Sequence, residues 1–156
     1  MITMKELGII IPMHEFGKEN IELVNKAIES VPEGILICLS TPKGTTPANV
    51  KGLSDRAALV VSTEEGTTFA DLVNSGVNAF SNNPDVKWFS ILEFDDTYTP
   101  IWYDNAKKYI EFMPSTSVFM YLEDITDFND GKYIGFGNEA AWASAFSNEI
   151  GFIDND

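Results

Sequence analysis

Glu93, Asp95 and Asp96 close the run Trp88-Phe89-Ser90-Ile91-Leu92-Glu93-Phe94-Asp95-Asp96, so an apolar segment ends abruptly in acids. Carboxylate oxygens are the hard donors that magnesium and manganese prefer. A hydrophobic run with such an ending reads as a buried strand that delivers carboxylates to a sheet edge. Open α/β sheets place ligand chemistry just beyond the carboxyl ends of their strands. The simplest reading is a divalent-metal site that holds a phosphorylated ligand. In an extended strand Glu93 and Asp95 point to one face and Asp96 to the other, unless the chain turns there. The competing reading is an acidic loop whose charge favours the N-terminus of the next helix.

Other reactive residues are sparser. Glu123-Asp124 forms a second acidic ending and could act on a hydroxyl as general base, although loop acids are mostly solvated. His14 is the sole histidine and cannot build a His-rich metal site. It falls just past the first apolar run, where it either lines a pocket or sits on the surface. Ser40-Thr41-Pro42-Lys43-Gly44-Thr45-Thr46 follows a strand but lacks the glycine spacing and terminal Lys-Ser/Thr of a phosphate loop; Lys43 could still touch a phosphate. Cys38, the single cysteine, excludes an internal disulfide and reads as a small buried hydrophobe.

The elements that must carry these groups alternate. Leu7–Pro12 is a continuous apolar run stopped by proline, suited to a buried parallel strand. Ile21, Val24, Ile28 and Val31 mark a helix over Asn20–Val31, terminated by Pro32-Glu33-Gly34. Ile35–Leu39 and Ala57–Val61 read as strands, with a helical turn near Val50–Asp55 between them. A helix over Thr67–Phe80 puts Phe69, Val73, Val77 and Phe80 on one face. Thr99 as N-cap and Pro100 at the first position open a helix that runs to about Phe112. Val118–Leu122 is a strand closing in Glu123-Asp124, and Lys132–Phe136 is a strand or hairpin arm. Asn138–Asn148 is a small-residue helix. Strand and helix alternate through the first two-thirds, which predicts an α/β sheet with right-handed crossovers.

Bulk properties bound the partners. The 156 residues, 44% of them apolar, make one domain's worth of core. A net charge of −14, from 24 acids against 10 bases, makes a nucleic-acid groove a poor fit. The same field disfavours an anionic ligand unless a metal offsets it. No apolar run approaches the roughly 20 residues of a membrane helix, and Met1–Leu7 lacks the regions of a signal peptide. The expectation is a cytoplasmic protein, or a virion-associated one if its source is viral.

In this order the chain resembles the family 2 glycosyltransferases, which have the GT-A fold. Gly8-Ile9-Ile10-Ile11-Pro12 looks like their first strand, and Ser30-Val31 stands where their first helix ends near a Ser-Val pair. Thr67 to Gly76 resembles the helix with an Arg-Asn-x-Gly signature; Asn74 and Gly76 match, while Val73 stands at the arginine. Leu92-Glu93-Phe94-Asp95-Asp96 resembles the Leu-Asp-x-Asp-Asp metal motif, with Glu93 replacing the first aspartate. Gly151-Phe152-Ile153-Asp154 looks like the segment that precedes a catalytic Glu-Asp pair. The second strand, which in the family ends in an aspartate pair facing the base, here ends Leu39-Ser40-Thr41.

The resemblance implies a single GT-A-like (Rossmann-like) domain over residues 1–156, a mostly parallel sheet flanked by helices, without the family's C-terminal catalytic segment. It implies a nucleotide-sugar donor bound near Pro12, His14, Asn74 and Gly76, and manganese or magnesium held by Glu93, Asp95 and Asp96. Trp102 and Tyr103 are then either core or a stacking face for a sugar. The acceptor and the catalytic base stay unassigned. Two further readings remain open: a non-catalytic GT-A-like binding or assembly module, with a protein partner or oligomer inside a virion or larger complex, and a receiver-like or nucleotide-binding α/β regulator.

Overall fold

The computed structural model describes residues 2–57, 59–62, 68–112, 118–120, 124–127, 132–136 and 143–147. Strands β1 (Leu7–Pro12), β2 (Leu36–Thr41), β3 (Leu59–Ser62) and β4 (Trp88–Ile91) pair in parallel, in the spatial order β3-β2-β1-β4. The sheet continues through β8 (Ala143–Ser147) to β5 (Val118–Met120), with β8 antiparallel to both its neighbours. A separate hairpin pairs β6 (Asp124–Asp127) with β7 (Lys132–Phe136).

Alternation along β1 sorts the core into two faces. Leu7, Ile9, Ile11 and Met13 pack with Ile21, Val24, Ala27 and Ile28 of helix α1 (Lys18–Ser30), and with Trp102, Ala106 and Ile110 of helix α3 (Trp102–Phe112). On the other face, Ile10 and Cys38 meet Val73, Val77 and Phe80 of helix α2 (Phe69–Ser81). The chain steps one way from β1 through α1 to β2 and on to β3, then back past β2 and β1 through α2 to β4. A constant right-handed crossover demands that the helix change faces when the direction reverses, and α1 and α2 do lie on opposite faces. Burial pushes the Cys38 thiol up to about 12, as its place inside this second face requires.

The seat of α2 is set by two glycines. A Cβ on Gly8 would lie 2.6 Å from Cζ of Phe80, and one on Gly76 would lie 2.6 Å from Cγ2 of Ile10. Phe80 of the helix fills the gap over Gly8, and Ile10 of the strand fills the gap under Gly76. A capping box starts α2: the Asp71 N–H donates to Thr68 Oγ1 and the Thr68 N–H donates to Asp71 Oδ2.

Between β2 and β3 the described residues of the crossover form no helix. The expected helical turn near Val50–Asp55 is a series of turns, with Gly52 at φ +89°. This connection docks on α1 through Asn25, whose Nδ2 donates to Gly52 O at 2.9 Å and whose Oδ1 accepts from the Ser54 N–H at 2.8 Å. Arg56 then caps the end of α1, its guanidinium donating to the carbonyls of Ile28 (3.1 Å), Val31 (2.7 Å) and Pro32 (3.1 Å). A helix C-terminus leaves carbonyls without partners and favours a cation. Replacing Arg56 by methionine keeps the stem and removes these bonds. The expected loss is about 2 kcal/mol, a melting temperature lower by ~4–8 °C in a thermal scan.

Several expectations need correction. The span 143–147 is strand β8 and not part of a helix over Asn138–Asn148; the remainder of that span lies outside the described residues. Small residues favour a helix locally, but pairing with β4 and β5 overrides so weak a preference. Asp124 begins β6 rather than closing the strand before it, while Glu123 lies outside the described residues, as does the Gly151–Asp154 segment. Helix α3 begins at Trp102, whose N–H donates to Thr99 O at 3.1 Å, so Pro100 precedes the first helical position. Phe69 opens α2 but is 38% exposed, and Leu72 and Gly76 join the buried face instead. No described helix is long and apolar enough to cross a membrane.

Candidate functional site

The order β3-β2-β1-β4 reverses direction at β1, so β1 and β4 flank the topological switch, where open α/β sheets hold their ligands. Because the four strands are parallel, the segments after Pro12, Thr41 and Ile91 leave the same edge. His14 follows β1 and the acids follow β4, so this edge carries both.

The acids are on a turn, not on the strand. The β4 ladder ends at Ile91, and the Leu92 N–H still donates to Ile10 O at 2.9 Å. The Asp96 N–H then donates to Glu93 O at 3.0 Å, closing a four-residue turn. That reversal overcomes the strand alternation that would have sent Asp96 to the opposite face. One carboxylate oxygen from each of Glu93, Asp95 and Asp96 lies within 4.8 Å of the others. Asp95 and Asp96 are exposed and Glu93 is half-buried. Burial, together with the charge of Asp95, holds the Glu93 carboxyl above the usual carboxylate range. Three like charges at this spacing repel by roughly 1 kcal/mol per pair in a water-like dielectric. An all-oxygen, all-anionic donor set of this kind fits magnesium or manganese.

Pro12 ends β1 at the edge that carries the acids. The Met13 N–H donates to Ser40 O at 2.9 Å, so odd positions of β1 face β2 and even ones face β4. Pro12 therefore lacks its N–H on the β4 side, just where that ladder stops and the acidic turn begins. Its ring is buried opposite Ser40. His14 is exposed, with Nε2 3.9 Å from Glu15 Oε1.

The remaining predicted residues separate. Asn74 is half-buried on α2 and Gly76 is buried against Ile10, so close packing gives Gly76 a reason of its own. Val73, at the position of the resemblance's arginine, is fully buried in the α2 face of the core. Ser40 and Thr41, at the position of the aspartate pair, are both fully buried. Ser40 Oγ donates to Leu72 O at 2.5 Å and Thr41 Oγ1 to Val61 O at 3.1 Å. Trp102 is 5% exposed and stacked on Tyr98 at 3.9 Å between ring centroids, which makes it core. Lys43 is exposed in the loop after β2. Sequence reasoning passed over Tyr98; the one hint of its role was a serine inside the apolar run that forms β4.

No known family profile matches the chain, and no curated protein matches it in sequence. Solved structures do. The chain is similar to S. aureus TarS, with a TM-score of 0.53 and 17% identity over 73% of this chain and 21% of that one. It therefore spans about a fifth of the length of TarS. It is also similar to 4-diphosphocytidyl-2C-methyl-D-erythritol synthase from Anaerococcus prevotii, with a TM-score of 0.53 and 14% identity over 94% of this chain and 72% of that one. A second structure of a synthase of that name gives 0.50 and 12% identity over 93% and 76%. Likeness at such identities is likeness of fold, and the chain shares with these structures a GT-A-like, Rossmann-like α/β fold, a mostly parallel sheet flanked by helices.

Proposed function

We propose that residues 1–156 form a GT-A-like, family 2-type glycosyltransferase domain that binds a nucleotide-sugar donor through a divalent cation. The observation that carries this reading is the turn Glu93–Asp96, which gathers three carboxylates at the end of β4 beside the switch between β1 and β4. Asp95, with Glu93 and Asp96, would hold manganese or magnesium, whose charge offsets the one developing on a departing diphosphate. The chain's own part is to bring the acids together on the turn that follows β4. His14 lies at the same edge and is available to the donor. Asn74 belongs to the reading through its match to the helix signature, and Gly76 through that match and the close seat of α2 on β1.

A second reading, a non-catalytic binding or assembly module of the same fold, draws on a different observation. The hydroxyls of Ser40 and Thr41 are committed inside the protein and Val73 is buried, so the groups expected to meet the base and the donor are absent.

Calorimetric titration separates the two. Nucleotide diphosphate-sugars are titrated into the protein and into Asp95→Ala, with and without manganese. Metal-dependent binding that weakens at least about tenfold in Asp95→Ala supports the donor site. No binding of any nucleotide under either condition sinks the enzyme reading and leaves the module.

A further inference from the structure

Ser90 interrupts the otherwise apolar β4 and is 3% exposed. A hydroxyl so placed is costly unless it is hydrogen-bonded. Its partner is the Tyr98 hydroxyl, which donates to Ser90 Oγ at 2.6 Å. The Tyr98 backbone N–H donates to Ser30 Oγ at 3.0 Å, and Ser30 Oγ in turn donates to Ala27 O at 2.6 Å near the end of α1. The Tyr98 ring lies on Trp102 of α3 with an interplanar angle of 20°. Three elements, β4, α1 and α3, thus converge on a residue two places beyond Asp96.

On its other side the acidic turn is held by the Leu92 N–H on Ile10 O. The segment Glu93–Thr97 is therefore a short span between two fixed points. Mutual repulsion of the three carboxylates pushes that span open, and the fixed ends oppose it. Resting on the cation site proposed above, we infer that Tyr98 is a positioning residue, anchored by Ser90, that holds the acidic turn closed around its cation. It touches neither the cation nor the donor. Its contribution is to keep the carboxylates gathered before the ion arrives, so that less ordering is required on binding. Groups that orient metal ligands in this indirect way are worth about 10–100-fold in affinity.

The test uses manganese alone, followed by water-proton relaxation, on the whole chain. Tyr98→Phe keeps the ring and the backbone bond and removes only the hydroxyl; Ser90→Ala removes its acceptor. The double variant and Tyr103→Phe, an aromatic neighbour on the same face of the core, complete the set. Near-UV circular dichroism verifies that each is folded. The expected result is a dissociation constant about tenfold higher in each single variant, no further loss in the double variant, and no change in Tyr103→Phe. If the wild type binds manganese and Tyr98→Phe binds equally well, the inference is overturned while the cation site stands. Equal weakening in Tyr103→Phe overturns it too, as general loosening, and so do losses that add in the double variant. If the wild type binds no manganese, the cation site itself falls and the inference falls with it.

Discussion

Gly8→Val is expected to cost about 3 kcal/mol or more and to lower the melting temperature by ~6–12 °C. The first added carbon alone would lie 2.6, 2.7 and 3.0 Å from three atoms of the Phe80 ring. That ring is 1% exposed and flat, so it has nowhere to retreat without lifting α2 from the sheet. The reciprocal contact gives the control. Gly76→Ala pushes a methyl onto Ile10, but alanine also recovers about 1 kcal/mol of helix propensity. Its net cost should therefore be smaller, about 1–2 kcal/mol. Ile10→Ala, destabilising alone, should erase most of the Gly76→Ala penalty when the two are combined, because the atoms in conflict are gone. Chemical denaturation of the four proteins measures this coupling. Simple addition of the two costs would show that Gly76 is not kept small by Ile10.

Glu93→Gln should move stability in opposite directions with and without metal. Burial and Asp95 raise the pKa of Glu93 in the folded protein, so the folded state binds this proton more tightly than the unfolded chain does. Its contribution to stability is fully present below the unfolded pKa and is lost as pH rises through the folded one. Glutamine cannot ionise and escapes that loss. Without metal the variant should match the wild type in acid and become the more stable of the two once pH has passed the raised Glu93 pKa. Manganese reverses the order, because it must displace the proton and needs the carboxylate. The variant should bind it at least about tenfold more weakly, with a flatter dependence on pH. Urea melts across the acidic-to-neutral range, with and without manganese, read both effects. A wild type whose stability follows the variant's at every pH would remove the electrostatic account of Glu93.

The four parallel strands were legible because strands buried on both faces leave continuous apolar runs, as in Leu7–Pro12 and Leu36–Leu39. The three acids were legible for the same reason, since the run stops where they begin. Their arrangement was not. Leu92 and Phe94 are as apolar as Ile91, so nothing in the pattern marks where the ladder ends and the turn starts. Tyr98 escaped notice because its partners Ser30 and Ser90 are assigned by folding rather than by spacing. The residues of β8 favour helix locally and become a strand only because β4 and β5 pair with them. Gly76 shows the converse hazard: a residue that matches a family signature also has a packing reason to be glycine.

The position of β8 has a consequence for the order in which the molecule can assemble. Everything from β1 to β4 can pair as soon as residues 7–91 have left the ribosome, since each strand's parallel neighbour lies within that span. Strand β5 is synthesised next, and among the described residues its one neighbour in the sheet is β8, which comes later in the chain. Translation therefore delivers β5 before the strand that seats it, and docking of β8 on β4 becomes the step that commits both. A nascent chain released before residues 143–147 could fold its four parallel strands and its acidic turn while the far edge of β4 still lacked its cover.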